Sequence, residues 1–155
     1  MPVFLKPLST GYPGPPYEPE LHQLSWRPMI GVEQDDDGRQ VSCWAFDDMK
    51  ALASQRDLQA MQTALRKLQE FTATGQLLSD LFDDKQLHTG FVCSSGTSVF
   101  RLRLVGSTRI YFVYGQCRQL ILVGLLCKRV DKLSKGDQKR MCDRVAKLRQ
   151  SAQLQ

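Results

Sequence analysis

Residues 100–114 read FRLRLVGSTRIYFVY and have the pattern of two short strands around a turn. Before the turn at 106–108, Arg101 and Arg103 alternate with apolar residues, and after it Arg109 begins a second alternation. A period of two places successive side chains on opposite faces of a strand. Because the apolar residues must face the helices of the domain, we expect the arginines to face away, toward solvent or a ligand.

The residues that follow the hairpin predict a central strand and then a basic helix. QLILVGLLC, 119–127, is a continuous apolar run, which is typical of a strand buried on both faces. The later SKGD has the form of a capping box, with Ser134 as the N-cap. Met141, Val145 and Leu148 give this last helix an apolar stripe.

The residues before the hairpin predict a strand over 39–46 and helices over 47–74. The helical part is an antiparallel pair, or one helix with a break near Gln55, and Asp57 is a candidate N-cap. Residues 76–96 are expected to form a loop, with a possible strand at HTGFVCS. The order of strand, two helices, three antiparallel strands and helix predicts a small α+β domain, with helices packed on a meander sheet.

Every proline lies within residues 2–28, which favours extended or turn-like backbone there. We therefore expect residues 1–38 to form a Pro-rich, acidic N-terminal extension and residues 39–155 to form the domain. The extension is interpreted as an arm that lies on the domain or binds a partner. One hypothesis is that its acidic part, 18–37, shields a basic face of the same chain.

Charge is distributed unevenly along the chain. Residues 1–84 contain 7 Lys or Arg against 13 Asp or Glu, a net of −6, whereas residues 85–155 contain 14 against 3, a net of +11. A basic half of this kind indicates a polyanionic partner, and nucleic acid is the usual one. The alternative is that the acidic half folds back on the basic half.

The composition excludes several classes of protein and site. The five cysteines are odd in number and form no CxxC pair, so neither a disulfide framework nor a zinc site is expected, and a reducing cytoplasm fits best. No apolar run approaches 18 residues, and the N-terminus lacks the pattern of a secretory signal, so no membrane partner is expected. No P-loop, GxSxG or GxGxxG occurs. We therefore predict no metal and no small-molecule cofactor, and His22 and His88 are more simply structural or exposed than catalytic.

The arginines of the hairpin and the basic loop after the apolar strand are expected to meet at one end of the sheet. A guanidinium binds phosphate oxygens in a forked geometry and stays charged. A cluster of such groups can hold an RNA backbone and stabilise the extra negative charge of a phosphorane transition state. The alternative is an ordinary solvated strand edge. The loop residues in this cluster are Lys128, Arg129, Lys132 and Lys135.

Residues 40–150 resemble the RelE/HigB superfamily of toxins from toxin–antitoxin systems. FRLRLVGSTRIYFVY and the later LILVGLLCKRVDKLSKGDQKRMCDRVAKLR carry the resemblance, together with the order of the elements. The resemblance implies an RelE-like fold and ribosome-dependent mRNA cleavage that inhibits translation in the cytoplasm. Because the attacking group is the RNA's own 2′-hydroxyl, it implies no metal.

The resemblance also assigns roles to residues. Arg101 and Arg103 match a basic pair that acts as base or binds phosphate, Arg109 matches the group that stabilises the transition state, and Arg129 matches one that holds the scissile phosphate. Its implied partners are mRNA, the ribosome and a cognate antitoxin. The antitoxin is expected to be acidic or to carry an amphipathic helix that covers the basic site or displaces the last helix, and a helix-turn-helix type is one form of it. Further RNA-binding residues are expected at Lys85, Tyr111, Lys128, Lys132 and Lys135.

The chain departs from the family pattern at its C-terminal end. Many relatives have a Tyr or His there that acts as acid or base, but this chain has no Tyr after Tyr114 and no His after His88. An arginine is a poor proton acceptor, so a clustered lysine would have to substitute. The alternative is a non-catalytic module that has the same fold and binds nucleic acid or protein. A phage-encoded interaction protein is one form of this alternative.

Overall fold

The computed structural model describes residues 2–10, 26–52, 54–128 and 132–154. Within these ranges the chain forms one mixed sheet and four helices. The strands are β1 (Val3–Pro7), β2 (Arg27–Gln34), β3 (Gln40–Cys43), β4 (Leu87–Val92), β5 (Ser98–Leu102), β6 (Thr108–Tyr114) and β7 (Gln119–Cys127). The helices are α1 (Trp44–Lys50), α2 (Gln55–Thr72), α3 (Leu78–Leu81) and α4 (Lys135–Gln150).

The sheet has the strand order β1-β2-β7-β6-β5-β4. β3 pairs with the C-terminal end of β2, beyond the residues of β2 that pair with β7. Strands β4 to β7 form an antiparallel meander, whereas β2 runs parallel to β7, with Arg27 opposite Gln119 and Ile30 opposite Leu122. The predicted central strand is confirmed: β7 has neighbours on both sides and is buried along most of its length. The α+β class is confirmed as well.

Helix α2 covers one face of the sheet. Its stripe of Met61, Leu65 and Leu68 is buried against apolar residues of β5, β6 and β7. The predicted pair of helices is confirmed, but the N-cap differs from the prediction. Ser54 Oγ accepts from the Asp57 backbone N–H at 3.1 Å, so Asp57 is the third residue of the capped turn.

Helix α4 covers the opposite face, where Met141, Val145 and Leu148 are fully buried. Ser134 caps it as predicted, accepting from the Asp137 N–H at 3.1 Å. The Cys93–Cys142 disulfide joins α4 to the turn between β4 and β5. The expectation that the cysteines form no disulfide is therefore wrong for this pair, since two residues distant in sequence meet only when α4 packs on the sheet.

Two strands of the segment predicted to be an extension, residues 1–38, belong to the sheet. β1 is an edge strand on β2, and β2 joins β7. The prolines permit this because Pro7 ends β1 and Pro28 is the second residue of β2, near strand ends where a missing N–H is tolerated. Part of the predicted arm, residues 11–25, lies outside the described residues.

The predicted strand over 39–46 is shorter in the structure. β3 ends at Cys43, and α1 begins at Trp44, whose buried indole Nε1 donates to Glu33 at 3.0 Å. The possible strand at HTGFVCS is confirmed as β4, and the short α3 interrupts the expected loop before it. In the described part of the chain, no helix is long and apolar enough to span a bilayer.

Candidate functional site

Three of the predicted site residues line one open cavity of about 480 Å³. Lys85, Arg101 and Arg103 reach this cavity, which lies at the outer edge of the sheet beside the turn between β5 and β6. Asp84 is the carboxylate among its described lining residues, so the wall carries more positive than negative charge. We call the cavity the basic pocket; it is lined by Asp84, Lys85, Gln86, His88, Arg101, Arg103, Leu104, Val105 and Gly106.

A tight turn positions Lys85 beside the end of β5. Asp83 Oδ1 accepts from the backbone N–H groups of Lys85 and Gln86, each at 2.9 Å. The Arg103 N–H in turn donates to the Gln86 carbonyl at 2.8 Å. Backbone hydrogen bonds thus hold two of the three cations next to each other, although they are distant in sequence.

Arg101 lies in the middle of the outer strands. It is opposite His88 on β4 and opposite Tyr111 on β6. Its guanidinium Nη2 donates to His88 Nε2, and His88 Nδ1 lies 3.0 Å from the Thr89 carbonyl oxygen. His88 itself is exposed, so the pocket combines cations with an accessible imidazole.

Arg109 does not face solvent, contrary to the expectation. It is only 2% exposed, because it lies on the face that α4 covers. Its Nη1 donates to the carbonyl oxygens of Gly106 at 3.3 Å and Thr108 at 3.1 Å. Since Gly106 lines the basic pocket, Arg109 supports the pocket's turn from behind.

Tyr111 is also buried, at 2% exposure, contrary to the expectation that it contacts RNA at the surface. Its ring packs beside Phe91 with centroids 6.3 Å apart, within the apolar cluster under α4. Arg101 is 7% exposed on the same face of the sheet. The expectation that this face points outward is wrong. Apolar residues of β5 and β6 lie under α2, and the residues that alternate with them lie on the opposite face of the sheet, which α4 covers.

Among the described basic residues after β7, Lys128, Lys132 and Lys135 are not part of the described lining of the pocket. The Lys128 N–H donates to the Ser107 carbonyl at 2.9 Å, next to the pocket's turn, but its Nζ pairs with Asp137 at 3.2 Å. Lys132 and Lys135 are exposed near the start of α4. Arg129 lies outside the described residues.

The electrostatics at the start of α4 bind this loop to the helix. Burial alone raises the pKa of the Asp137 carboxyl, but hydrogen bonds from Ser134 and Lys128 and the charges of Arg140 and Lys128 outweigh it, so the pKa lies below its usual value. Asp137 is therefore ionised near neutral pH and holds Lys128.

A second, larger cavity of about 810 Å³ lies between the β1–β3 end of the sheet and helices α1 and α2. Its walls are mostly apolar, and Lys6 and Arg66 are the charged residues among the described lining. None of the predicted site residues lines it. The described residues also contain no group of three His, Cys, Asp or Glu side chains placed to hold a metal ion.

His88 is the residue of the pocket that the sequence interpretation did not select. The signal for it was weak, since a lone histidine in a loop-like stretch has no defined neighbour. Only the β4–β5 register, in which His88 is opposite Arg101, brings it to the basic residues. Comparisons of the chain with models of known families, with curated proteins and with solved structures find no match.

Proposed function

We propose that the chain is a RelE/HigB-like toxin, a metal-independent endoribonuclease that cleaves mRNA on the ribosome and so inhibits translation. The basic pocket is the site at which it holds the scissile phosphate. The observation that carries the proposal is the convergence of Lys85, Arg101 and Arg103 on one open cavity. These cations come from two separate segments, and a solvated strand edge does not require them to meet.

The chemistry of the pocket suits a phosphodiester. Arg103 presents a planar, permanently charged donor that matches phosphate oxygens, and the exposed Lys85 adds a compact ammonium group. Arg101 is only 7% exposed and offers a second guanidinium from the wall of the pocket. Negative charge increases on the phosphoryl oxygens as the 2′-oxygen attacks. Fixed cations at that position therefore stabilise the transition state more than the ground state.

The proposal gives the protein the ribosome and mRNA as its partners. Lys85 and His88 are exposed at the open cavity, which suits an mRNA strand held by a larger particle. An acidic antitoxin, or one that brings an amphipathic helix, is the partner that would neutralise the basic surface. Lys132 and Lys135, exposed beside the loop, are additional positions for RNA contacts.

The test is inducible expression in cells, followed by primer extension on abundant transcripts. Arg103→Ala removes a pocket cation that lies outside the strands, so the fold should survive. Arg66→Ala on α2 is the matched control, because it removes an equally charged but exposed side chain far from this pocket. We expect cleavage inside translated codons with wild type and Arg66→Ala, and at least tenfold less with Arg103→Ala. Absence of cleavage by folded wild-type protein would refute the nuclease.

The second candidate is a non-catalytic module that binds nucleic acid through the same pocket. The burial of Arg109 and Tyr111 favours this second candidate, because the nuclease hypothesis placed both side chains at the surface. This candidate predicts RNA binding that weakens steeply with salt and no cleaved product. Titration of labelled RNA at several salt concentrations, with gel analysis of the same samples, separates the two candidates.

A further inference from the structure

His88 occupies the outer wall of the basic pocket, on the edge strand β4. Both of its ring nitrogens have a partner: Nδ1 meets the Thr89 carbonyl oxygen at 3.0 Å, and Nε2 meets the guanidinium of Arg101. The side chain is nevertheless exposed, so a bound strand can reach it.

These two partners determine the form of the imidazole. A carbonyl oxygen can only accept a hydrogen bond, so Nδ1 must carry the proton. A guanidinium can only donate, so Nε2 must present its lone pair. In this arrangement the Nε2 lone pair points at Arg101, the residue that would bind the phosphate.

We propose that His88 is the general base of the basic pocket and that phosphate binding by Arg101 releases it. The inference rests on the proposed function, and it supplies the proton acceptor that the C-terminal end of the chain lacks. Phosphate oxygens attract the Arg101 donors more strongly than a neutral imidazole does, since the guanidinium–phosphate pair joins two opposite charges and can form two parallel hydrogen bonds. When Nη2 turns to the phosphate, the Nε2 lone pair becomes available beside the reacting ribose.

The step balances without a metal or other cofactor. Nε2 takes the proton of the 2′-hydroxyl, the 2′-oxygen forms a bond to phosphorus, and the bond from phosphorus to the 5′-oxygen breaks. The 5′-oxygen leaves with that electron pair and takes a proton from water, and the resulting hydroxide removes the proton from the His88 imidazolium. The products are a 2′,3′-cyclic phosphate and a 5′-hydroxyl end.

Cations outnumber carboxylates among the described residues that line the pocket, with Lys85, Arg101 and Arg103 against Asp84. Among the described residues, the titratable and charged groups that line the pocket with His88 are Arg101 on β5, Arg103 directly after it, and Asp84 and Lys85 in the preceding turn.

The test uses the full chain, purified ribosomes and a defined mRNA whose cleavage position has been mapped. His88→Gln keeps an oxygen that can accept from Arg101 but cannot take the proton. We expect cleavage to slow by about 10² to 10⁴, the usual contribution of general acid–base catalysis. Affinity for a copy of the mRNA with a 2′-deoxy residue at the cleavage position should change less than threefold.

The pH profile distinguishes catalysis from structural support. The wild-type rate should rise between about pH 5 and 8, the range in which imidazoles ordinarily titrate, and this rise should be absent in His88→Gln. Free imidazole should restore part of the rate to His88→Ala, and this variant also serves if His88→Gln does not fold. Equal cleavage rates and pH profiles in wild type and His88→Gln would overturn the role of His88. Loss of mRNA binding together with cleavage in His88→Gln would overturn it too. Neither result would contradict the proposed nuclease activity. A wild-type protein that cleaves nothing would instead refute the proposed function.

Discussion

Arg144 on α4 forms a buried, two-point ion pair with Asp48 on α1. Its Nη1 donates to Oδ2 and its Nη2 to Oδ1, each at 2.9 Å. The same Asp48 Oδ2 accepts from the Leu125 N–H of β7 at 2.9 Å, and Arg144 Nη1 also donates to the Val123 carbonyl. One pair of charges thus joins both helices to the central strand.

Removing one member of this pair should be costly. Arg144→Ala removes the two-point partner of the buried Asp48 carboxylate and leaves it only Arg140, whose Nη2 lies 3.8 Å from Oδ1. Breaking a buried pair in this way typically costs about 3–5 kcal/mol. Urea unfolding followed by circular dichroism measures the change in the free energy of unfolding. Lys139→Ala is the control, since the Lys139–Asp143 pair on the same helix has side chains that are 80% and 62% exposed and should contribute less than about 1 kcal/mol. Equal effects of the two variants would contradict this account.

Reduction of the Cys93–Cys142 disulfide should lower the thermal stability. The bond closes a loop with a sequence separation of 49 residues, for which the chain-entropy model gives about 4 kcal/mol. We expect Tm to fall in dithiothreitol and in Cys142→Ser, and the reductant to have no further effect on Cys142→Ser. Cys117→Ser, at an exposed free thiol, should melt as wild type does. A wild-type Tm that is insensitive to reductant would show that the bond is absent or contributes nothing.

Acid should weaken the contact between α4 and β2 through Glu33. Burial raises the pKa of this carboxyl, but hydrogen bonds from Lys147 at 2.6 Å and Trp44 at 3.0 Å, with the Lys147 charge, bring the pKa below its usual value. The folded protein therefore binds fewer protons at this group than the unfolded chain does. Its stabilisation is complete above the ordinary glutamate pKa of about 4.3 and is lost as pH falls through the lower folded value.

Glu33→Gln should accordingly be less stable than wild type at pH 7, and the difference should shrink below about pH 4. Unfolding curves at pH 7, 5, 4 and 3 measure it. Glu70→Gln is the control because its partner Arg66 is exposed, and it should show little difference at any pH. If the difference in the free energy of unfolding between wild type and Glu33→Gln increased in acid, the ionised Glu33 carboxylate would be excluded as the cause of that difference.

Gly31 has no room for a side chain. A Cβ at this position of β2 would lie 2.4 Å from Cε3 of Trp44, a rigid and fully buried ring. Gly31→Ala should therefore destabilise the fold by about 1–3 kcal/mol. Gly136→Ala in the first turn of α4 meets nothing within 4 Å and should be neutral or stabilising by up to about 1 kcal/mol, since alanine is the better helix former. Thermal melts of both variants, compared with wild type, provide the test, and a stable Gly31→Ala would mean that Trp44 moves freely.

The elements that depend on local pattern were predictable from the sequence. The stripe of α2, the Ser134 cap of α4 and the apolar run of β7 each follow from residues close together in the chain. Periodicity and capping act over a few residues, so a short stretch of sequence is enough to predict these features. The grouping of basic residues near the hairpin was predictable in part, because Arg101 lies on β5 and Arg103 directly follows that strand.

The elements that depend on distant pairing were not predictable. β2 joins the sheet because Arg27 lies opposite Gln119, and no local pattern links those residues. His88 becomes part of the pocket through its register with Arg101. Cys93 and Cys142 become partners only through the packing of α4.

The sequence by itself determined that this protein has an α+β domain with a buried central strand and a basic C-terminal half. Only the tertiary structure decided which of its basic groups stay accessible. The reason is that a strand's alternation specifies two faces but not which of them is covered. Once α4 packs on the second face, Arg109 is withdrawn beneath the turn, and the exposed edge keeps Lys85, Arg103 and His88.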